Sequence, residues 1–230
     1  VKSLPAGAEI LLNGAYKGVT PCDLRGIPAG KYEMVLRKEG YGQVKRQVTC
    51  KTNALQTIES SLKMLPQFEA GRHAASGDEA MQSGDWESAL GFYERACSLH
   101  PEEPAYLEKA LLARRNLFEK RVNELLDTYK RAYESEQVES LASLLDFGCE
   151  EFMNREVSNA AALFSAFNNI AVQLSDVRMP VEEKEEARVQ LHLKIHAADG
   201  AGVMRQLVDT DAEFTLRKKT EDSWKICSIE

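Results

Sequence analysis

The chain has 230 residues, 43% hydrophobic and 28% charged, a globular composition that excludes collagen-like, disordered and membrane-bundle classes. No window approaches the roughly 20 consecutive apolar residues of a membrane-spanning helix, and Val1 opens no basic stretch followed by an apolar signal core. The net charge of −7 is uneven along the chain: +5 over residues 1–66, −4 over 67–117 and −8 over 118–230. Ten cations spread over the first stretch read as a solvated face, and the acidic remainder argues against nucleic-acid binding. A strand-like segment begins within a few residues of Val1, which predicts an upstream portion carrying any signal or anchor.

The first 65 residues have the punctuation of short strands and tight turns. Ile10, Leu11 and Leu12 run into Asn13-Gly14, a pair that tolerates positive φ and so predicts a two-residue hairpin. Gly18-Val19-Thr20-Pro21, Pro28-Ala29-Gly30 and Glu39-Gly40-Tyr41-Gly42 are further turn clusters. Between them Tyr32, Met34 and Leu36 alternate with Lys31, Glu33 and Arg37, as in a half-buried strand. A last strand is expected over about Leu55–Lys63, and the whole is read as a small all-β sandwich. Pro5-Ala6-Gly7-Ala8, Asn13-Gly14, Gly18-x-Thr20-Pro21, Leu24, Pro28-Ala29-Gly30 and Gly40-Tyr41 stand in the order of a PEGA domain, and residues 1–64 resemble that family. Ala6 departs from the name-giving tetrapeptide, where Glu is typical. The resemblance implies an extracytoplasmic binding or spacer module of a bacterial surface or membrane-anchored protein, sometimes a serine/threonine kinase ectodomain, without catalytic residues.

Five cysteines, Cys22, Cys50, Cys97, Cys149 and Cys227, show no C-x-x-C pair and no histidine at metal spacing, so no zinc site is expected. Cys22 and Cys50 share the β unit and are the candidates for a bridge in an oxidising compartment, with scattered free thiols as the other reading.

Helical spacing takes over near Phe68. Ala74, Ala80 and Met81, then Trp86, Ala89, Leu90, Tyr93, Ala96 and Cys97, recur every three or four residues, and Gly84-Asp85 divides two antiparallel helices. Trp86, Ala89, Tyr93, Ala96 and Pro101, with Gly77 at the small position of the first helix, resemble one tetratricopeptide repeat. Trp86 and Tyr93 are expected to fill the space between the helices, while Ser76 and Ala80 are smaller than the repeat prefers. Pro104 opens a capping helix expected to end near Asn116. A lone repeat needs a neighbour to cover it, and a structural spacer is favoured over a peptide receptor.

Residues 118–230 begin with a helix lined by Val122, Leu125, Leu126, Tyr129, Ala132 and Tyr133. A second helix is expected over Ser140–Asp146, then a less regular stretch containing Phe152, Leu163, Phe164 and Phe167. Strand patterns follow at about 172–179, 187–196, 203–218 and 224–229. Val189, Leu191, Leu193 and Ile195 face one side of the second strand, and Gln190, His192, Lys194 and His196 the other. Helices first and then a meander, ending in Phe214-x-Leu216 and Trp224-Lys225-Ile226, resemble the nuclear-transport-factor-2-like (polyketide-cyclase-like) fold. That resemblance implies an α+β cone with a curved, mostly antiparallel sheet. Three domains are thus expected, 1–65, 66–117 and 118–230, joined by short linkers at Met64-Leu65-Pro66 and Leu117-Phe118 that hold them nearly rigid.

No catalytic constellation emerges. His192 and His196 lie four residues apart on the polar face, about 13 Å along a strand, and cannot share an ion. His73 and His100 are unremarkable, and Glu182–Glu186 reads as a solvated hairpin tip. The best pocket candidates are Tyr129 and Tyr133, with Phe164 and Trp224 as opposing walls, although packing inside a cone would give the same stripe. The expectation is a non-enzymatic scaffold or sensor region that needs no cofactor or metal and has a protein or cell-envelope component as its partner. Membrane contact would come only through an upstream anchor. The alternative is a small enzyme or small-ligand receptor using the cone.

Overall fold

The computed structural model describes every residue except 53, 180–184 and 221–222. The expected Glu182–Glu186 tip therefore falls largely outside the described residues. The order is β strands, a helical middle and a C-terminal antiparallel sheet, divided into two compact units, Val1–Ala113 and Arg114–Glu230.

In the first unit, strands β1 (Lys2–Leu4) and β6 (Glu59–Ser61) pair in parallel. Strands β2 (Glu9–Leu12), β3 (Ala15–Val19), β4 (Gly30–Arg37) and β5 (Val44–Cys50) form an antiparallel sheet in the order β3-β2-β4-β5. The β2–β3 turn has positive φ at both Asn13 (46°) and Gly14 (79°), as a tight hairpin matched to strand twist requires. Period-two alternation sends Ile10 and Leu12 of β2, Met34 and Leu36 of β4 and Val48 of β5 into one core, with Leu62 beyond β6. The last strand spans Glu59–Ser61 and is shorter than the expected 55–63.

Helix α1 (Pro66–Ser83) starts with Pro at its first turn, where the missing N–H costs nothing, and stops at Gly84 in the left-handed region (φ 75°). Helix α2 (Trp86–Leu99) is N-capped by Asp85, whose side chain accepts from the Ser88 N–H. Tyr93 (2% exposed) fills the space between the helices, against Ala89, Ala110 and Ala113. Trp86 corrects the expectation: it sits in the first turn of α2 and is only half-buried.

The expected capping helix and the helix after it are one element. Helix α3 (Pro104–Glu134) runs unbroken through Leu117-Phe118, so the predicted boundary at 117 lies inside a helix. After Pro104 the segment has no Gly or Pro. Its buried positions Ala110, Ala113, Leu117, Phe118 and Val122 keep the three-and-four spacing across that point.

In the second unit, α4 (Val138–Ala142) is shorter than expected, and the stretch read as irregular is helix α5 (Glu150–Ala166). Strands β7 (Asn168–Arg178), β8 (Glu186–Ala198), β9 (Met204–Thr220) and β10 (Ser223–Ile229) make an antiparallel sheet ordered β10-β9-β8-β7. Val189, Leu191, Leu193 and Ile195 of β8, Phe214 and Leu216 of β9, and Trp224 and Ile226 of β10 form one core with Val122, Leu126 and Tyr129 of α3 and with Leu141, Leu145 and Phe152. Leu144–Asp146 extends the sheet beside β10, through Ile226 N–H to Leu144 O (2.9 Å) and Asp146 N–H to Ile226 O (2.8 Å).

Cys22 and Cys50 are unbridged, contrary to the candidate pairing; the disulfide joins Cys149 to Cys227, 78 residues apart. Cys50 ends β5 and Cys22 lies in the loop after β3, and these strands are the opposite edges of their sheet.

Candidate functional site

Two neighbourhoods of the second unit bring chemistry-bearing side chains together, and a third surrounds its disulfide. The first lies between α3 and α5. Tyr129 and Tyr133, four residues apart, share one face of α3, with ring centroids 4.9 Å apart. Phe214 meets Tyr129 edge-on at 5.3 Å, and Phe164 meets Tyr133 edge-on at 5.6 Å. Both hydroxyls donate to Glu156 Oε1 of α5, Tyr133 at 2.7 Å and Tyr129 at 3.3 Å. Burial, reinforced by the neighbouring Glu156, holds both phenols above their ordinary range, so they remain protonated donors.

Of the four expected wall residues, Tyr129, Tyr133 and Phe164 converge, whereas Trp224 packs edge-on against Phe118 at 5.2 Å. Trp224 lies on β10 at an outer position of the sheet, while Phe214 on β9 meets the tyrosines. Glu156 was missed because it lies in the stretch read as irregular. A signal was present: Met153, Val157, Ala160 and Phe164 recur at helical spacing, diluted by Asn154, Ser158 and Asn159.

The second neighbourhood is on the polar face of the sheet. His192 lies opposite Asp211 on β9, with Asp209 on the diagonal. Its Nδ1 is 2.7 Å from Asp211 Oδ1 and its Nε2 is 2.7 Å from Asp209 Oδ1. A groove of about 430 Å³ opens beside it, bordered by Asp176, Arg178, Gln190, Glu213 and Glu230. Two carboxylates can both accept from the ring only when it is protonated, so the arrangement favours the imidazolium form. The hydrogen bonds to Asp211 and Asp209 raise the His192 pKa, and the same imidazole lowers that of Asp209.

A group whose pKa is raised on folding contributes stability that is complete below its unfolded value, about 6.5, and is lost as pH rises through the folded value. His192→Gln should therefore lower the denaturant midpoint most near pH 5.5–6, and the gap from the parent should close towards pH 9. A gap that widened with pH would show that the clamp works in the neutral form.

The third neighbourhood surrounds Asp146, which is 1% exposed. Burial pushes its carboxyl up, but hydrogen bonds from Lys219 and the Gly148 N–H and the charges of Lys219 and Arg217 outweigh this and hold it below the usual carboxylate range. Lys219 Nζ is 2.5 Å and Arg217 Nη1 3.5 Å from its oxygens. Asp146, Cys149 and Cys227 place an oxygen and two sulfurs within 4.8 Å of one another. The sulfurs are committed to a disulfide and the carboxylate to two cations, so this set does not hold a metal in the oxidised state.

Residues 1–66 match the PEGA domain family model, and no curated protein matches the chain. Solved structures similar to the C-terminal half are nuclear-transport-factor-2-like proteins. One is a superfamily member from Salmonella enterica, 12% identical, covering 48% of this chain and 87% of its own, with a TM-score of 0.42. A second is a candidate dehydratase of the same family from Streptomyces avermitilis, at 18% identity, 48% and 92% coverage and TM-score 0.41. A third, of unknown function, comes from Mycobacterium tuberculosis, at 15% identity, 51% and 72% coverage and TM-score 0.44.

Proposed function

We propose that this chain is a non-enzymatic, extracytoplasmic region of a larger, membrane-anchored bacterial protein, in which the cone-like second unit is a scaffold or association module. The PEGA match supports the compartment, as such domains are typically extracytoplasmic, and a disulfide linking α5 to β10 suits an oxidising environment. The observation that carries the non-enzymatic reading is the filled interior: Tyr129 is 1% and Tyr133 5% exposed, walled by Phe164 and Phe214, with both hydroxyls spent on Glu156. An acid–base group must reach a bound substrate to act.

The experiment is a thermal-shift screen of aromatic, acyl and carboxylate small molecules against the parent and Glu156→Gln. No compound is expected to stabilise the parent in a Glu156-dependent way. A stabilising compound whose effect disappears in Glu156→Gln would establish the second reading, a small-ligand receptor or enzyme, which the Tyr129–Tyr133–Glu156 set favours because it joins two phenols to a carboxylate.

Packing makes its own prediction at this place. Glu156→Ala strands the buried Tyr129 hydroxyl without its acceptor and should cost about 1–3 kcal/mol. Adding Tyr129→Phe should recover part of that loss, as urea denaturation of the single and double variants would show.

A further inference from the structure

We propose that Cys149–Cys227 is a redox-active bridge, opened by thiol–disulfide exchange with a dithiol, in which the Cys149 sulfur is the leaving thiolate. Three features single out Cys149. It is the N-cap residue of α5, and no side chain there accepts from the first-turn N–H groups, which lack intrahelical partners and carry the positive end of the helix dipole. Arg217 Nη1 lies 3.4 Å from its sulfur and is fixed in place by Glu186 (Nη2 to Oε1 2.9 Å) and Asp146. Both cysteines are half-buried and neither is enclosed in the core.

The opposing charges are Asp146, whose Oδ2 is 3.9 Å from the sulfur, and Glu150 and Glu151 in the first turn of α5. Lys219 and Arg217 neutralise Asp146, and the two glutamates act against the helix N-terminus, leaving the Arg217 contact as the decisive one. A thiolate beside a guanidinium at a helix N-terminus is the arrangement that lowers a cysteine pKa below its free value of about 8.5.

The exchange balances as follows. One thiolate of the dithiol attacks the Cys227 sulfur, the Cys149–Cys227 bond breaks, and its electron pair leaves on Cys149. The second thiol of the reductant loses its proton to solvent and attacks the mixed disulfide, so the reductant becomes a disulfide. Cys227 leaves as thiolate and takes up a proton. Two electrons pass from the dithiol to the protein, and Cys149 remains ionised near neutral pH. The local fold does not depend on the bridge alone, because Leu144–Asp146 stays paired with β10 through two backbone hydrogen bonds and Asp146 keeps its two cations.

The test uses the whole chain in native buffer with EDTA. After reduction with dithiothreitol, each thiol is alkylated with iodoacetamide between pH 5 and 9 and quantified by peptide mass mapping, which separates Cys149 and Cys227 from Cys22, Cys50 and Cys97. The bridge should open without denaturant, and Cys149 should react at least tenfold faster than Cys227 at pH 6.5, with its midpoint a unit or more below the free thiol's. Arg217→Gln should raise that midpoint and Arg217→Lys should largely restore it. Cys227→Ser, which frees Cys149 without any reductant, should reproduce the acidic midpoint and serves if Arg217→Gln fails to fold. A bridge that opens only after unfolding, or a Cys149 midpoint at the ordinary thiol value in the parent and in Cys227→Ser, would overturn the proposal.

Discussion

Tyr93→Ala should destabilise the first unit by about 3–5 kcal/mol, the cost of removing a large aromatic ring from a fully packed site. The ring is 2% exposed and fills the space between α1 and α2, and its hydroxyl donates to Asp78 at 2.7 Å. Lys109 of α3 reaches the same carboxylate at 2.7 and 2.8 Å and lies 5.8 Å from the ring centroid. Tyr93→Phe keeps the ring and leaves the half-exposed Asp78–Lys109 pair intact, so its cost should be smaller, about 1 kcal/mol. A reciprocal test comes from the opposite wall. A Cβ added at Gly77 would stand 2.5 Å from Tyr93 Cε1, and the hydrogen bond to Asp78 keeps the ring from swinging aside. Gly77→Ala should therefore lose about 1–3 kcal/mol to overpacking, even though alanine favours a helix by about 1 kcal/mol over glycine. Urea denaturation followed by Trp86 fluorescence in a Trp224→Phe background measures both. A Gly77→Ala variant more stable than the parent would mean that the helices do not pack this closely in solution.

The features legible in the sequence were those that local chemistry specifies. Asn13-Gly14 marked its hairpin because few other pairs accept two positive φ values in succession. The alternation of Val189, Leu191, Leu193 and Ile195 identified the buried face of β8 and placed His192 on the other side. What escaped notice depends on residues distant in sequence. Cys149 meets Cys227 across 78 residues, and Arg217 meets Asp146 across 71; no spacing rule encodes either. Glu156 was invisible for a different reason: without recognising α5, nothing placed that carboxylate opposite the stripe of α3. The break expected at Leu117 followed from ending the capping helix near Asn116 and starting the nuclear-transport-factor-2-like resemblance at 118, but the apolar stripe continues through that point with no Gly or Pro to interrupt it.

The same distinction bears on the clamp around His192. From the sequence only His192 is placed on a polar face, as an ordinary surface side chain; Asp209 and Asp211 lie on the next strand, and nothing in the spacing links them to it. Register makes the difference: in an antiparallel pair the direct partner of His192 is Asp211, while Asp209 lies two residues along the same face. Strand pairing thus turns a solvated face into a specific group of charges, but only after the long-range alignment of β8 with β9 is known.

Phe214→Ala should have the largest effect on the second unit, about 3–5 kcal/mol. Its side chain is fully buried, its ring meets Tyr129 edge-on at 5.3 Å, and its β9 position is paired with Val189 on one side and Ile229 on the other. The residue therefore connects the sheet to the aromatic stripe of α3, and truncating it opens a void that neither strand can close without losing register. Trp224, 6% exposed on β10, is a reporter in the same core, and a Trp86→Phe background leaves it as the only tryptophan. In that background Phe214→Ala should lower the midpoint of the Trp224 unfolding transition, whereas Phe214→Leu, which refills much of the space, should lower it less. The comparison also bears on the scaffold reading. The space left by Phe214→Ala lies beside the Tyr129 ring and between Val189 and Ile229, apolar surfaces that offer water few partners. It would then admit benzene-sized solutes that restore part of the lost stability, whereas the parent, with that space filled, should show no such response. Stabilisation of the parent by the same solutes would mean that the interior is already open.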